Sequence, residues 1–148
     1  MSVIKLHNSL GNKKEVFIPI NENHIRIYAC GPTVYNYAHI GNARMAVVCD
    51  LLVRFMKHSY PKVTYVSNIT DIDDKIIAAS QEKKIPIKEL TIKFTKIYND
   101  DMSMLGVELP DIQPKATEHI KEMINLINTL IKNNYAYEKN GHVLFDVP

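Results

Sequence analysis

Cysteine is scarce in this chain: Cys30 and Cys49 are the only two in 148 residues, which excludes a disulfide framework. No apolar run approaches the roughly 20 residues that a membrane-spanning helix needs, so no membrane partner is expected. Neither sign of charge dominates. The 18 Lys and Arg against 16 Asp and Glu leave a formal charge of +2, too small to announce a nucleic-acid partner by itself. Internal repeats and low-complexity tracts are lacking as well, which excludes solenoids and tail-like segments. The amino terminus turns polar too early for a secretory signal, and a cytosolic (cytoplasmic) location is the expectation. What is there is the composition of an ordinary globular chain, 46% hydrophobic and 23% charged, long enough to bury a single core.

The most informative stretch is Tyr28-Ala29-Cys30-Gly31-Pro32-Thr33-Val34-Tyr35-Asn36-Tyr37-Ala38-His39-Ile40-Gly41-Asn42. Before it, His24 to Cys30 alternates and is β-rich, which predicts a strand that Gly31-Pro32 terminates. After it, Ala43, Val47, Val48, Leu51, Leu52, Phe55 and Met56 recur at helical spacing, so a helix opens at Gly41. Strand, loop and helix make the first βα unit of a parallel sheet in an α/β fold, where ligands bind beyond the carboxyl ends of the strands. Cys30, His39, Gly41 and Asn42 all fall at that end.

The remaining elements are expected as follows. Ile4 to Leu6 and Val16 to Ile20 read as short strands joined around Gly11-Asn12, and Lys62 to Asn68 as a second strand of the main sheet. Thr70 reads as the cap of the next helix, with Asp73 as the returning acid and Asp71, Asp73 and Asp74 in its first turn. Leu90, Phe94, Ile97, Tyr98 and Leu105 fit one amphipathic helix; Ile120, Met123, Ile124, Ile127, Leu130 and Ile131 fit another. Gly106 and the stretch from Pro110 to Pro114 separate them. Cys49 falls on the apolar face of the first helix as a core residue. Lys13-Lys14 and Lys83-Lys84 read as solvated charge, and His7, His24, His58, His119 and His142 lack ligand spacing.

A helix start exposes unpaired amides and a partial positive charge, both of which attract phosphate. His39 can add a ring N–H, Asn42 offers a donor and an acceptor, and Gly41 leaves room for a flat ligand against the backbone. A plain capping turn fits these residues equally. Cys30 is open in the same way: a thiolate suits Zn²⁺, and a buried strand-end thiol is the common structural use.

The longer patterns resolve these alternatives. The run from Cys30-Gly-Pro-Thr-Val-Tyr-Asn-Tyr-Ala-His39 to Arg44, followed by Tyr65-Val-Ser-Asn-Ile-Thr-Asp-Ile-Asp-Asp-Lys-Ile-Ile77, closely resembles the cysteinyl-tRNA synthetase family. So do Ile4-Lys-Leu-His-Asn-Ser-Leu10, Lys13-Lys-Glu-Val-Phe-Ile-Pro19, Pro110-Asp-Ile-Gln-Pro-Lys-Ala-Thr-Glu-His-Ile120 and Gly141-His-Val-Leu-Phe-Asp146, so the resemblance covers essentially the whole chain.

That resemblance implies the first half of a Rossmann-like class I nucleotide-binding domain over residues 1–110, with 111–148 opening a partly helical inserted connective segment. Enzymes of this family are several times longer, so it also implies an amino-terminal portion, with the Lys-Met-Ser-Lys-Ser signature and the other zinc ligands beyond residue 148. The implied activity is ATP-dependent conversion of L-cysteine to cysteinyl-adenylate, then transfer to tRNA(Cys). His39, Gly41 and Asn42 correspond to the HIGH signature that holds ATP, accompanied by Mg²⁺, with Asn42 in place of its second histidine. Cys30 corresponds to one ligand of a Zn²⁺ that selects the substrate thiol, and Cys30, Gly31 and Thr70 to residues around the bound cysteine. Two other functions share this scaffold: a cysteine-activating ligase with an amino-sugar acceptor, and a non-catalytic nucleotide-binding paralogue.

Overall fold

A computed structural model describes residues 3–147. Strands β1 (Lys5–Asn8) and β2 (Lys13–Val16) form an antiparallel hairpin, with Asn12 at φ 47° in its turn. The second strand lies earlier than the expected Val16 to Ile20. One further bond, Phe17 N–H to the Ile4 carbonyl at 2.9 Å, extends the pairing, and Pro19 has no N–H with which to continue it. Ile18 and Ile20 consequently stand in solvent.

Strands β3 (Ile25–Ala29) and β4 (Val63–Ser67) pair in parallel, with Ile25 opposite Val63 and Ala29 opposite Ser67. A parallel pair needs a crossover, which α1 (Ile40–Ser59) supplies. This helix buries Ala46, Val53 and Met56. Of the apolar positions that revealed the helix in sequence, Val47, Val48, Leu51 and Phe55 are exposed among the described residues.

A second crossover leads from β4 through α2 (Asp74–Lys83) and α3 (Ile87–Met104) back to the same sheet. Residues 112–115 run parallel beside β4, with bridges Val66 to Ile112 and Ile69 to Lys115. Ser67 N–H donates to the Ile112 carbonyl at 3.1 Å and Ile69 N–H to the Pro114 carbonyl at 2.8 Å. The chain just past residue 110 is therefore hydrogen-bonded into the sheet. Under α2 and α3 lies the core: Val34, Ile69, Ile76, Ala79, Leu90 and Phe94.

The expected cap of α2 is corrected. Asp73 is the N-cap, its Oδ1 accepting from Lys75 N–H at 2.8 Å, and only Asp74 lies in the first turn. Thr70 is extended: its N–H donates to the Pro32 carbonyl at 3.0 Å and its carbonyl accepts from Val34 N–H at 3.2 Å. Those sheet-like bonds hold its backbone away from helical geometry. Asp71 precedes the helix and is buried, with its carboxylate accepting from Thr117 N–H at 2.9 Å and Thr117 Oγ1 at 2.6 Å.

A 3₁₀ turn (Ala116–His119) leads into α4 (Ile120–Lys132), and a final antiparallel hairpin pairs β5 (Ala136–Lys139) with β6 (His142–Phe145). Asn140 and Gly141 carry φ 54° and 77°, the left-handed pair that a two-residue hairpin turn favours. The expected apolar face of α4 exists, although none of its residues is buried.

Cys49 on α1 is half-buried, with Sγ 3.7 Å from Met45 Sδ. Burial, and then the neighbouring Cys49 thiol, push the Tyr65 phenol up to about 12. The folded chain thus keeps this proton after the unfolded chain has released it near pH ~10. The resulting contribution is complete below the unfolded value and is lost as the pH rises from 10.0 towards about 12. Urea melts across this range should show a flatter alkaline decline for Tyr65→Phe than for the parent chain.

Candidate functional site

The carboxyl ends of β3 and β4 lie side by side, and the loop after β3 is stitched to the segment after β4. Thr33 and Thr70 form a parallel bridge, and Gly31 N–H donates to Asn68 Oδ1 at 2.9 Å. Cys30 and Gly31 on one strand end are thereby brought beside Asn68 and Thr70 on the other. Gly31 is required for this approach: a Cβ built there would lie 1.5 Å from the Asn68 carbonyl oxygen. No side chain fits such a gap, so glycine at this position is a packing requirement rather than a turn preference.

Cys30 is exposed, with its Sγ 3.8 Å from the Gly31 carbonyl oxygen. An exposed thiol at a strand end is free to take a ligand, unlike a packed core thiol. Among the described residues, however, no group of three or more His, Cys, Asp or Glu side chains converges as a metal site requires. These residues do not by themselves make a zinc centre; Cys30 offers one ligand only.

The second part of the site is the start of α1. His39 is its N-cap, with Nδ1 accepting from Gly41 N–H at 3.0 Å, while Asn42 Oδ1 accepts from His39 N–H at 3.1 Å. This reciprocal pair is a capping box built from His and Asn. It has a chemical consequence. Because Nδ1 is an acceptor, the neutral ring carries its proton on Nε2, and that N–H remains available to an outside acceptor. With its carbonyl oxygen committed to the cap, Asn42 presents its amide NH₂. Both side chains thus offer donors at the positive end of the helix, where Gly41 N–H is already bonded to His39 Nδ1 and Asn42 N–H to the His39 carbonyl at 2.9 Å, so a phosphate would be met chiefly by these side-chain donors and the helix dipole. Gly41 makes room for the ring, since a Cβ there would lie 2.8 Å from His39 Cε1.

Gly31 and Thr70 therefore lie at the joined carboxyl ends of β3 and β4 with Cys30 next to Gly31 in the chain, while His39, Gly41 and Asn42 form the start of the helix that follows β3. Several participants were not legible from pattern. Tyr28 and Asn68 are bonded to each other at 3.1 Å and, with residues 114–116, His119 and Met123, line a cavity of ≈ 330 Å³. Asp71 ties the same region to Thr117. These partners are 37 to 46 positions apart in sequence, so no local motif announces them. A larger cavity of ≈ 820 Å³ lies between α3 and residues 115–118; Asp71 and Thr117 line it, and none of the expected site residues does.

Residues 16–148 match the family described as tRNA synthetases class I (C) catalytic domain. Among curated proteins, the chain is 50% identical over 145 residues to a cysteine–tRNA ligase of Rhodospirillum rubrum, covering 98% of this chain and 32% of that protein. It is 52% identical over 145 residues to a cysteine–tRNA ligase of Parvibaculum lavamentivorans, covering 98% of this chain and 31% of that protein. The chain spans about a third of the length of the curated relatives it matches. Among solved structures, Mycobacterium tuberculosis methionyl-tRNA synthetase in complex with methionyl-adenylate superposes with a TM-score of 0.70 at 14% identity, over 78% of this chain and 23% of that one. At that identity the likeness establishes the fold alone. No helix among the described residues is long and apolar enough to cross a membrane. With a parallel pair of strands joined by a helical crossover, and a family match over residues 16–148, this chain belongs to the class I (C) tRNA synthetase catalytic domains.

Proposed function

We propose that a full-length protein carrying this chain is a cysteine–tRNA ligase that activates L-cysteine with ATP and passes it to tRNA(Cys), in the cytoplasm. The observation that carries this reading is that the chain is 50% identical, over 98% of its length, to a protein bearing that name, with an exposed Cys30 just past the end of β3. In this reading His39 Nε2–H and the Asn42 side-chain amide, at the positive end of α1, hold ATP phosphates, with Mg²⁺ as the nucleotide's counter-ion. Gly41 leaves room for the His39 ring that caps the turn. Thr70 Oγ1 or its neighbouring backbone accepts from the substrate ammonium.

Cys30 is proposed as one ligand of a Zn²⁺ whose other ligands lie outside these residues. Such an ion would supply preference for a thiol over a hydroxyl, a distinction that pocket shape supports poorly. Metal analysis of the 148-residue chain should accordingly find far less than one zinc per chain; stoichiometric zinc that survives Cys30→Ala would contradict this assignment. We also propose that the first half of the catalytic domain ends near residue 110, with the sheet-bonded residues 112–115 as the hinge into the connective segment.

The test of the function is acceptor choice. With labelled cysteine and ATP, the full-length protein should charge tRNA and leave amino sugars unmodified. Modification of an amino sugar instead would establish the related ligase, and failure to form an adenylate would establish a non-catalytic paralogue.

A further inference from the structure

One side chain at the end of β4 is bonded to both halves of the proposed cysteine site. Asn68 Oδ1 accepts from Gly31 N–H at 2.9 Å and from Tyr28 OH at 3.1 Å, while its Nδ2 donates to Thr70 Oγ1 at 3.1 Å. Only one orientation of the amide satisfies Gly31, because the flipped form would set NH₂ against an N–H. The side chain accepts from the β3 end and donates to the segment after β4, a division of roles that neither a carboxylate nor an apolar group reproduces.

We propose that Asn68 is a positioning residue that sets the spacing and the hydrogen-bond polarity of the substrate amino-acid site. It fixes the turn after Cys30 against the strand that leads to Thr70. It also makes Thr70 Oγ1 an acceptor towards the protein, which leaves one lone pair for a donor such as the substrate ammonium and turns the hydroxyl hydrogen elsewhere. This inference rests on the reading of the chain as part of a cysteine-activating enzyme. Asn68 acts through Gly31 and Thr70, so its loss should fall on the amino acid. The phosphate turn, held by its own His39–Asn42 cap, should be spared.

Cysteine-dependent pyrophosphate exchange by the full-length protein tests this, with KM for cysteine and for ATP measured separately. Asn68→Asp keeps the acceptor for Gly31 and Tyr28 but removes the donor to Thr70, whose hydroxyl must then turn to donate. KM for cysteine should rise about tenfold or more, KM for ATP should stay within about twofold, and the melting temperature should remain near the parent value. Asn68→Ala should raise KM for cysteine further and lower the melting temperature as well. Zinc content should be unchanged in both variants. Equal KM for cysteine in Asn68→Asp and parent overturns the inference, as does a parallel rise in both KM values. A parent protein that lacks cysteine-dependent exchange overturns the functional reading on which it rests, and is recognised before any variant is compared.

Discussion

Gly31→Ala should leave little folded, active protein. The built Cβ lies 1.5 Å from the Asn68 carbonyl oxygen and 2.6 Å from its carbon, and both neighbours are backbone atoms that have no rotamer to escape into. Relief requires the carboxyl ends of β3 and β4 to part by more than an ångström. That movement breaks the Gly31 N–H bond to Asn68 and disturbs the Thr33–Thr70 bridge beyond it. Overpacking of this kind costs ~3 kcal/mol or more when rigid groups must move. The melting temperature should fall by many degrees, and cysteine activation in the full-length protein should fall with the folded fraction and with the displaced strand ends. Gly41→Ala is the instructive contrast, because its Cβ meets only the His39 ring, which can swing. A Gly31→Ala variant with parental stability would show that the two strand ends are not held as close as described.

The second large effect is Cys30→Ser in the full-length protein. An oxygen replaces the sulfur at the residue proposed as a zinc ligand, in a chain whose described residues form no group of three or more metal-binding side chains. Removing a group that merely orients a metal ligand commonly costs ~10–100-fold in affinity or activity, and removing a ligand should exceed that. Cysteine activation should therefore fall by more than ~100-fold with reduced zinc content, while KM for ATP changes little, since the 39–42 turn is intact. Equal losses for both substrates would argue against this division of labour. Retained zinc with unimpaired activation would remove Cys30 from the ligand set.

Much of this was legible in the sequence because the signals are local. The β-rich run before Gly31-Pro32 became β3, and helical spacing after Gly41 became α1, with His39 one position outside it as the cap. The amphipathic patterns around Leu90 and Ile120 became α3 and α4. Misreadings arose where two local rules competed. Thr70 and Asp73 are both good caps, and spacing alone preferred Thr70; the choice was made by hydrogen bonds from Thr70 to Pro32 and Val34, residues distant in sequence. Asp71 looked like a helix-dipole acid for the same reason, yet its carboxylate is consumed by Thr117. The Asn68 clamp was invisible because an asparagine at a strand end carries no pattern until its partners are placed in space. Periodicity likewise found α1 without distinguishing the buried Ala46 and Val53 from the exposed Val47, Val48 and Leu51.

The most direct test of the central claim, that these residues form the substrate-activating start of a cysteine-specific ligase, is ATP–pyrophosphate exchange by the full-length protein with cysteine and with serine. The account predicts robust exchange with cysteine and at least ~100-fold less with serine, because the proposed Zn²⁺ at Cys30 would prefer the substrate's sulfur to an oxygen. Exchange that serine supports as well as cysteine, or that no cysteine concentration elicits, would contradict it.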